Sequence, residues 1–120
     1  MTIYRSMLFA PANDLRKVGK ALMLNVDGTV LDLEDAVALS EKTNARNALK
    51  EALSLPRRGD VFIRVNSVQT EFILSDLLAA VTEGVKGLVV AKSESAEEIR
   101  QVDWLIGKIE KERGLTEGSM

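Results

Sequence analysis

The 120-residue sequence contains no cysteine and no histidine. The first absence excludes disulfides and thiolate metal sites. The second removes the commonest general base and the usual nitrogen ligand of transition metals. Any metal must therefore be a hard ion held by oxygens, such as Mg2+. No apolar run approaches the roughly 20 residues of a membrane span, so no membrane partner is expected. There is no basic stripe with interleaved aromatics, and no nucleic-acid partner is expected either. The opening MTIYRSMLFAP is too short and too polar for a secretory signal, which makes a cytoplasmic location the expectation.

What is present has an ordinary globular balance: 46% hydrophobic, 28% charged, and a net charge of −2 from 16 bases and 18 acids. The length suits one modest domain, residues 1–120, with a single core.

Along the chain, strand-like and helix-like segments alternate. Residues 3–10, 29–35, 61–66 and 86–92 are short, apolar and rich in β-branched residues, as strands are. Residues 13–24, 40–53 and 70–84, and a last segment from 95 to near Gly114, carry apolar residues at helical spacing. Asn13 or Asp14, Ser40 and Ser95 are candidate N-caps, and Ser95 with Glu98 fits a capping box. Four βα units in strict alternation predict a parallel α/β sheet with right-handed crossovers. A doubly wound dinucleotide fold would carry a glycine-rich turn after the first strand. The turn here is FAPAND, without glycine. The alternative is a (β/α)8 barrel of TIM type, whose chemistry sits at the C-terminal ends of the strands. A whole barrel takes about 250 residues, so this chain covers about half of one.

Polar residues gather at those strand ends. Glu34 and Asp35 follow the second strand, Arg64 and Asn66 the third, and Lys92 the fourth. Arg64 and Asn66 alternate with Val65 and are expected to share a face. A guanidinium there offers a planar fork for a carboxylate or enolate oxygen. Spacing alone leaves open the plainer role of closing an ion pair with Glu34 or Asp35. Asp32 and Glu34 also share a face if the strand runs to 35; deeper in the strand, Asp32 reads as structural, while Glu34 near the rim reads as functional. Paired carboxylates at a rim can hold Mg2+ or its waters, orient an arginine, or act as a base. Lys92 could neutralise a substrate anion, form a Schiff base, or flank the strand in solvent. Arg5 sits early in the first strand. Lys42 and Arg46, one turn apart on the second helix, read as a solvated face.

Four segments, RSMLFAPAND, DGTVLDLEDAV, FIRVNSVQT and GLVVAKSES, occur in this order. In sequence and spacing they resemble the citrate lyase β-subunit-like group of the HpcH/HpaI aldolase and citrate lyase family, from residue 4 to about residue 110. The resemblance implies a Mg2+-dependent (β/α)8 barrel, often oligomeric, that cleaves or forms carbon–carbon bonds in 3-hydroxyacyl-CoA thioesters such as citryl-CoA or malyl-CoA through an enolate. It implies an acyl-CoA thioester as substrate, a homo-oligomeric state, and other citrate lyase subunits as partners. By position it matches Arg64 to a substrate-binding arginine, Arg5 to one on the CoA side and Lys92 to a lysine at the end of the fourth strand. With the strand-end reading, the candidates are Arg64 and Glu34 for catalysis and Arg5, Arg64, Asn66 and Lys92 for substrate binding. Glu34 and Asp35 fall near the metal, in its second shell at most. The direct metal ligands of the family lie beyond the equivalent of residue 120. One departure is Ala12, where the family has the glycine of an F-V-P-G turn. Two rivals stand beside this reading: a pyruvate-dependent aldolase acting on free acids, and a non-catalytic half-barrel that self-associates and at most binds ligand.

Overall fold

Four β-strands alternate with four α-helices along residues 3–120, the part of the chain that this computed structural model describes. The order is β1 (Met7–Pro11), α1 (Leu15–Met23), β2 (Gly28–Asp32), α2 (Lys42–Ser54), β3 (Asp60–Val65), α3 (Ile73–Ala80), β4 (Gly87–Val90) and α4 (Ala96–Glu112), with a 3-10 turn at Leu39–Glu41 before α2. Residues 1 and 2 of the expected domain lie outside the described residues.

All neighbouring strands are parallel, and their spatial order is β1-β2-β3-β4. Each strand therefore lies beside the one that precedes it in sequence, with no reversal of order. A doubly wound sheet has such a reversal; a singly wound barrel sheet does not. The helices form one layer: α1 packs against β1, β2 and α2, α2 against α3, and α3 against β3 and α4. The fold class is thus α/β of the (β/α)8 type, in four βα units.

Residues in register on parallel strands project to the same side, which defines two faces. Ala10, Leu31 and Ile63 form one row toward the helices and are all buried. They join Val18 and Leu22 of α1, Leu49 of α2 and Leu77 of α3 in the core. On the opposite, open face, Phe9, Val30 and Phe62 form a second row, and Pro11, Asp32 and Arg64 a third. Phe9 is 47% exposed, and Met7 on the same face is also exposed. Tyr4 meets Phe62 edge-on, with ring centroids 5.1 Å apart.

Several boundaries differ from those read in the sequence. β1 starts at Met7 rather than residue 3, so Arg5 precedes the strand. β2 ends at Asp32, because the Asp32 carboxylate accepts the N–H groups of Glu34 and Ala36 and turns the chain. The α2 segment is entered through the 3-10 turn, and Ser40 does not cap it. The α3 segment is eight residues long: Thr70 bonds back to Ser67 through both its N–H and its hydroxyl, which holds the preceding residues in a turn. Asp14 caps α1 by accepting from Lys17 N–H. Ser95 caps α4 by accepting from Glu98 N–H, while the Glu98 carboxylate reaches back one residue further than a capping box requires, to Glu94 N–H. The α4 end is followed by Gly114 at φ 71°, a left-handed position that glycine adopts without penalty.

Candidate functional site

The site is built at the C-terminal ends of β2, β3 and β4. Asp32, the last residue of β2, is paired in register with Arg64 of β3. Arg64 Nε donates to Asp32 Oδ1 at 2.8 Å and Nη2 to Oδ2 at 2.6 Å, a bidentate pair. Asp32 is fully buried, and the Arg64 side chain is 24% exposed. The guanidinium lies over the Phe9 ring, 4.7 Å from its centroid. Among the described residues Nη1 makes no hydrogen bond, so one edge of the fork is left toward the open face.

Glu34 stands between the two cations of the rim. Its Oε1 is 3.8 Å from Arg64 Nε, and its Oε2 accepts from Lys92 Nζ at 2.7 Å. Lys92 also donates to Asp35 Oδ1 at 3.0 Å. Lys92 follows β4 with φ 51°, in the left-handed region that non-glycine residues seldom occupy, at a cost of order 1–3 kcal/mol.

The electrostatics follow the geometry. Burial works against ionisation of Asp32, but the Arg64 hydrogen bonds and the two backbone N–H groups outweigh it and hold the carboxyl below its ordinary value. Arg64 is raised, chiefly by the hydrogen bonds to Asp32. The hydrogen bonds to Glu34 and then Asp35 raise Lys92. A Schiff-base lysine needs the opposite shift, so the arrangement favours Lys92 as a charged rim residue, its side chain 64% exposed. Asp35 is lowered, first by Lys92.

Two of the expected site residues lie elsewhere. Asn66 was expected beside Arg64, but β3 ends at Val65 and the Asn66 side chain turns toward α3. Its Nδ2 donates to Asp76 Oδ2 at 2.6 Å and Leu33 O at 3.0 Å, and its backbone N–H also bonds Asp76. Asn66 is buried and joins β3 to α3 and to the loop after β2. Arg5 lies at the other end of the sheet. It forks onto Asp27, which immediately precedes β2, with bonds of 3.1 and 3.0 Å. The length of β2, about 17 Å, separates that pair from Asp32.

Three residues at or near the site were not legible as such. Asp32 read as structural, which as a buried ion-pair partner it is; not legible was that it, rather than Glu34 or Asp35, is the main partner of Arg64. Arg46 read as solvated, yet Nη1 is 3.3 Å from the buried Asp76. Lys42 also read as solvated, but it is buried, and its Nζ donates to Leu33 O, Glu34 O and Val37 O at 2.9, 2.8 and 3.1 Å. The signal that could have exposed Lys42 is its place just after a turn, within reach of the strand-end loop.

A magnesium ion would need convergent oxygen ligands. Among the described residues no three Asp or Glu side chains converge as a ligand set. Asp32 is committed to Arg64, and Glu34 and Asp35 to Lys92. These residues alone do not make a complete magnesium centre. No helix among the described residues is long and apolar enough to cross a membrane.

Comparison with known proteins places this geometry in a family. Residues 5–120 match the HpcH/HpaI aldolase/citrate lyase family. The citrate lyase subunit beta of Haemophilus influenzae is 38% identical over 121 residues, covering 99% of this chain and 42% of that protein. The (3S)-malyl-CoA thioesterase of Cereibacter sphaeroides strain KD131 is 35% identical over 105 residues, covering 86% of this chain and 37% of that protein. The chain thus spans about two-fifths of the length of these curated relatives. Among solved structures, protein CitE of Mycobacterium tuberculosis in complex with magnesium, acetoacetate and coenzyme A superposes with a TM-score of 0.67 at 31% identity, covering 80% of this chain and 35% of that one. The Haloferax volcanii malate synthase pyruvate/acetyl-CoA ternary complex shares the fold, with a TM-score of 0.88 at 19% identity over 100% of this chain and 38% of that one. The chain belongs to the HpcH/HpaI aldolase/citrate lyase family.

Proposed function

We propose that residues 1–120 form the N-terminal half of a barrel domain in a carbon–carbon lyase of the citrate lyase β-subunit type. The reaction is cleavage of a 3-hydroxyacyl-CoA thioester such as citryl-CoA or malyl-CoA. The 3-hydroxyl loses its proton, the C2–C3 bond breaks, and its electron pair becomes the enolate of an acyl-CoA. The hydroxyl carbon leaves as a ketone or aldehyde, and protonation of the enolate completes the step.

The observation that carries this reading is the arginine at the tip of β3. Two of its nitrogens are locked onto buried Asp32, and the remaining edge is left toward the open face. A fork held in this way is preorganised to hydrogen-bond an oxygen that gains negative charge, which is where electrostatic catalysis acts. Lys92, exposed and paired with Glu34, adds a second cation at the same rim and is the residue this reading assigns to a substrate carboxylate. Glu34, paired with both cations, orients them and is the group this reading assigns to accept the hydroxyl proton. Arg5 and Asn66, expected from the sequence to bind substrate, take no part in this reading.

Magnesium is bound in the M. tuberculosis structure together with coenzyme A. In this reading it is the cofactor here as well, supplying Lewis-acid polarisation of the reacting oxygen. Glu34 and Asp35 are suited to hold its waters, and its direct ligands come from outside residues 1–120. Homo-oligomers and contacts with other citrate lyase subunits belong to the same proposal.

The test is an assay of thioester cleavage with citryl-CoA and (3S)-malyl-CoA, with and without Mg2+. It is run on this chain and on the longest reading frame that contains it. Turnover that depends on Mg2+ is expected; its absence with every short 3-hydroxyacyl-CoA tried overturns the reading. Turnover of free acids without CoA binding would favour a pyruvate-type aldolase instead. The non-catalytic half-barrel keeps one observation in its favour, the exposure of Met7 and Phe9 on the open face.

A further inference from the structure

The loop after β2, residues 33–37, carries Glu34 and Asp35, and several of its polar backbone groups have defined partners. The N–H groups of Glu34 and Ala36 bond the Asp32 carboxylate at 2.8 and 3.0 Å. The carbonyls of Leu33, Glu34 and Val37 converge on a single atom, Lys42 Nζ, at 2.8 to 3.1 Å. An ammonium has three hydrogens, and here each has an acceptor. Lys42 is 7% exposed, and its Nζ also lies over the Phe72 ring, 5.6 Å from the centroid.

A buried lysine is costly unless it is fully paired. Solvent exposure therefore does not explain this one. Two of these carbonyls also have another donor, Asn66 Nδ2 on Leu33 O at 3.0 Å and Val37 N–H on Glu34 O at 3.1 Å, but Lys42 is the group that joins all three and so holds the loop doubled back. Doubling back is what brings the Glu34 and Asp35 carboxylates to Lys92, 57 or 58 residues further along the chain. The charges also balance. Asp32, Glu34 and Asp35 meet two cations at the rim, Arg64 and Lys92, and Lys42 beneath the loop supplies the third.

We propose that Lys42 is a positioning residue: by gathering the carbonyls of residues 33, 34 and 37, it sets the Glu34 and Asp35 carboxylates against Lys92 and Arg64. Its catalytic consequence rests on the proposed lyase function, but the placement itself does not.

The experiment is 15N-resolved NMR of the full chain, comparing wild type with Lys42→Met. Leu49→Ala, a core variant that lowers global stability without touching the loop, serves as control. In wild type the Lys92 ammonium signal is expected to be slowed in proton exchange by its two carboxylate partners. In Lys42→Met it should exchange like that of the exposed Lys50. The amides of Glu34 and Ala36 should also exchange at least tenfold faster, while those of Ile63 and Val65 stay within about threefold. Leu49→Ala should speed all amides together and leave the Lys92 signal slowed. An unchanged Lys92 signal and unchanged loop amides in folded Lys42→Met overturn the proposal, as does an equal loss in Leu49→Ala. If Lys42→Met does not fold, the wild-type Lys42 ammonium decides: slow exchange supports the clamp, and exchange as fast as Lys50 overturns it. These readings do not use turnover, so a failed lyase assay and a failed clamp are told apart.

Discussion

Asp32 and Arg64 are neighbours in register across β2 and β3, and the arginine closes on the carboxylate with two bonds of 2.8 and 2.6 Å. The same carboxylate accepts two backbone N–H groups from the following loop. One buried acid thus orients the rim arginine and ends the strand. Asp32→Asn removes the charge while keeping the shape. It leaves Arg64 only the longer 3.8 Å contact with Glu34 and turns an acceptor-only group into one that presents N–H to N–H. Breaking a buried pair by removing one partner costs about 3–5 kcal/mol. We expect a loss near the lower end, about 3 kcal/mol, since Arg64 keeps some solvent contact. Urea unfolding measures it, and a loss below about 1 kcal/mol would contradict the role given to Asp32.

The pH dependence of stability has a definite shape. Asp32 is held below its ordinary 3.8, as is Asp35, and Asp27 is pulled down to about 2, chiefly by its hydrogen bonds from Arg5. A lowered carboxyl contributes stability above its unfolded value and loses it as pH falls through the folded value. Lys92 is raised above 10.5, so its contribution is complete below that value and is lost as pH rises through the higher folded one. With no histidine or cysteine in the sequence, no side-chain type present has an ordinary pKa between about 5 and about 9. Stability should be flat from about pH 5 to about pH 9 and fall on both sides. Melting temperatures across this range check it; a transition centred near neutral pH would contradict it.

Gly59, in the turn before β3, is a position where space decides. A Cβ there would sit 2.6 Å from Val26 O and 2.7 Å from Asp27 O. Both are backbone atoms that cannot rotate away. Gly59→Ala should therefore cost about 1–3 kcal/mol, as overpacking does. By contrast, Gly114→Ala meets no atom within 4 Å but keeps φ 71°, so its cost is conformational, about 1 kcal/mol. Equilibrium unfolding of the two variants should rank them in that order.

The open face of the sheet should drive association of the isolated chain. Met7 and Phe9 are exposed there, and among the described residues β1 and β4 each pair on one side only. Unpaired parallel edges with apolar neighbours invite another chain. Light scattering coupled to size exclusion should show a concentration-dependent mass above 13.1 kDa, reduced by Phe9→Ser. A monomer at all concentrations would contradict this.

Particular residues show how far the sequence could be read. The four βα units were legible because β-branched runs and helical apolar spacing alternate cleanly, as at residues 61–65 and 96–109. The rim was legible in outline, because Glu34, Arg64 and Lys92 follow successive strands and a parallel sheet puts such ends together. The partner of Arg64 was not, because it depends on strand register, which pairs Asp32 rather than Glu34 with the arginine. A strand read one residue too long put Asn66 on the wrong face, since each residue reverses the side. Lys42 was missed because the helical pattern of residues 40–53 says nothing about a loop folding back over the first turn. Arg5 was misplaced because β1 begins two residues after it.

The most direct measurement is the rate of Mg2+-dependent thioester cleavage by Arg64→Lys, set beside wild type in the longest reading frame that contains this chain. Lysine keeps the charge but cannot hold Asp32 with two nitrogens while offering a third. A fall in kcat/KM of about a hundredfold or more, with coenzyme A affinity unchanged, is the outcome expected of an arginine that stabilises the reacting oxygen. Turnover within a factor of about two of wild type would show that the charge at this strand end, and not the oriented fork, is all the reaction uses, and would contradict the site described here.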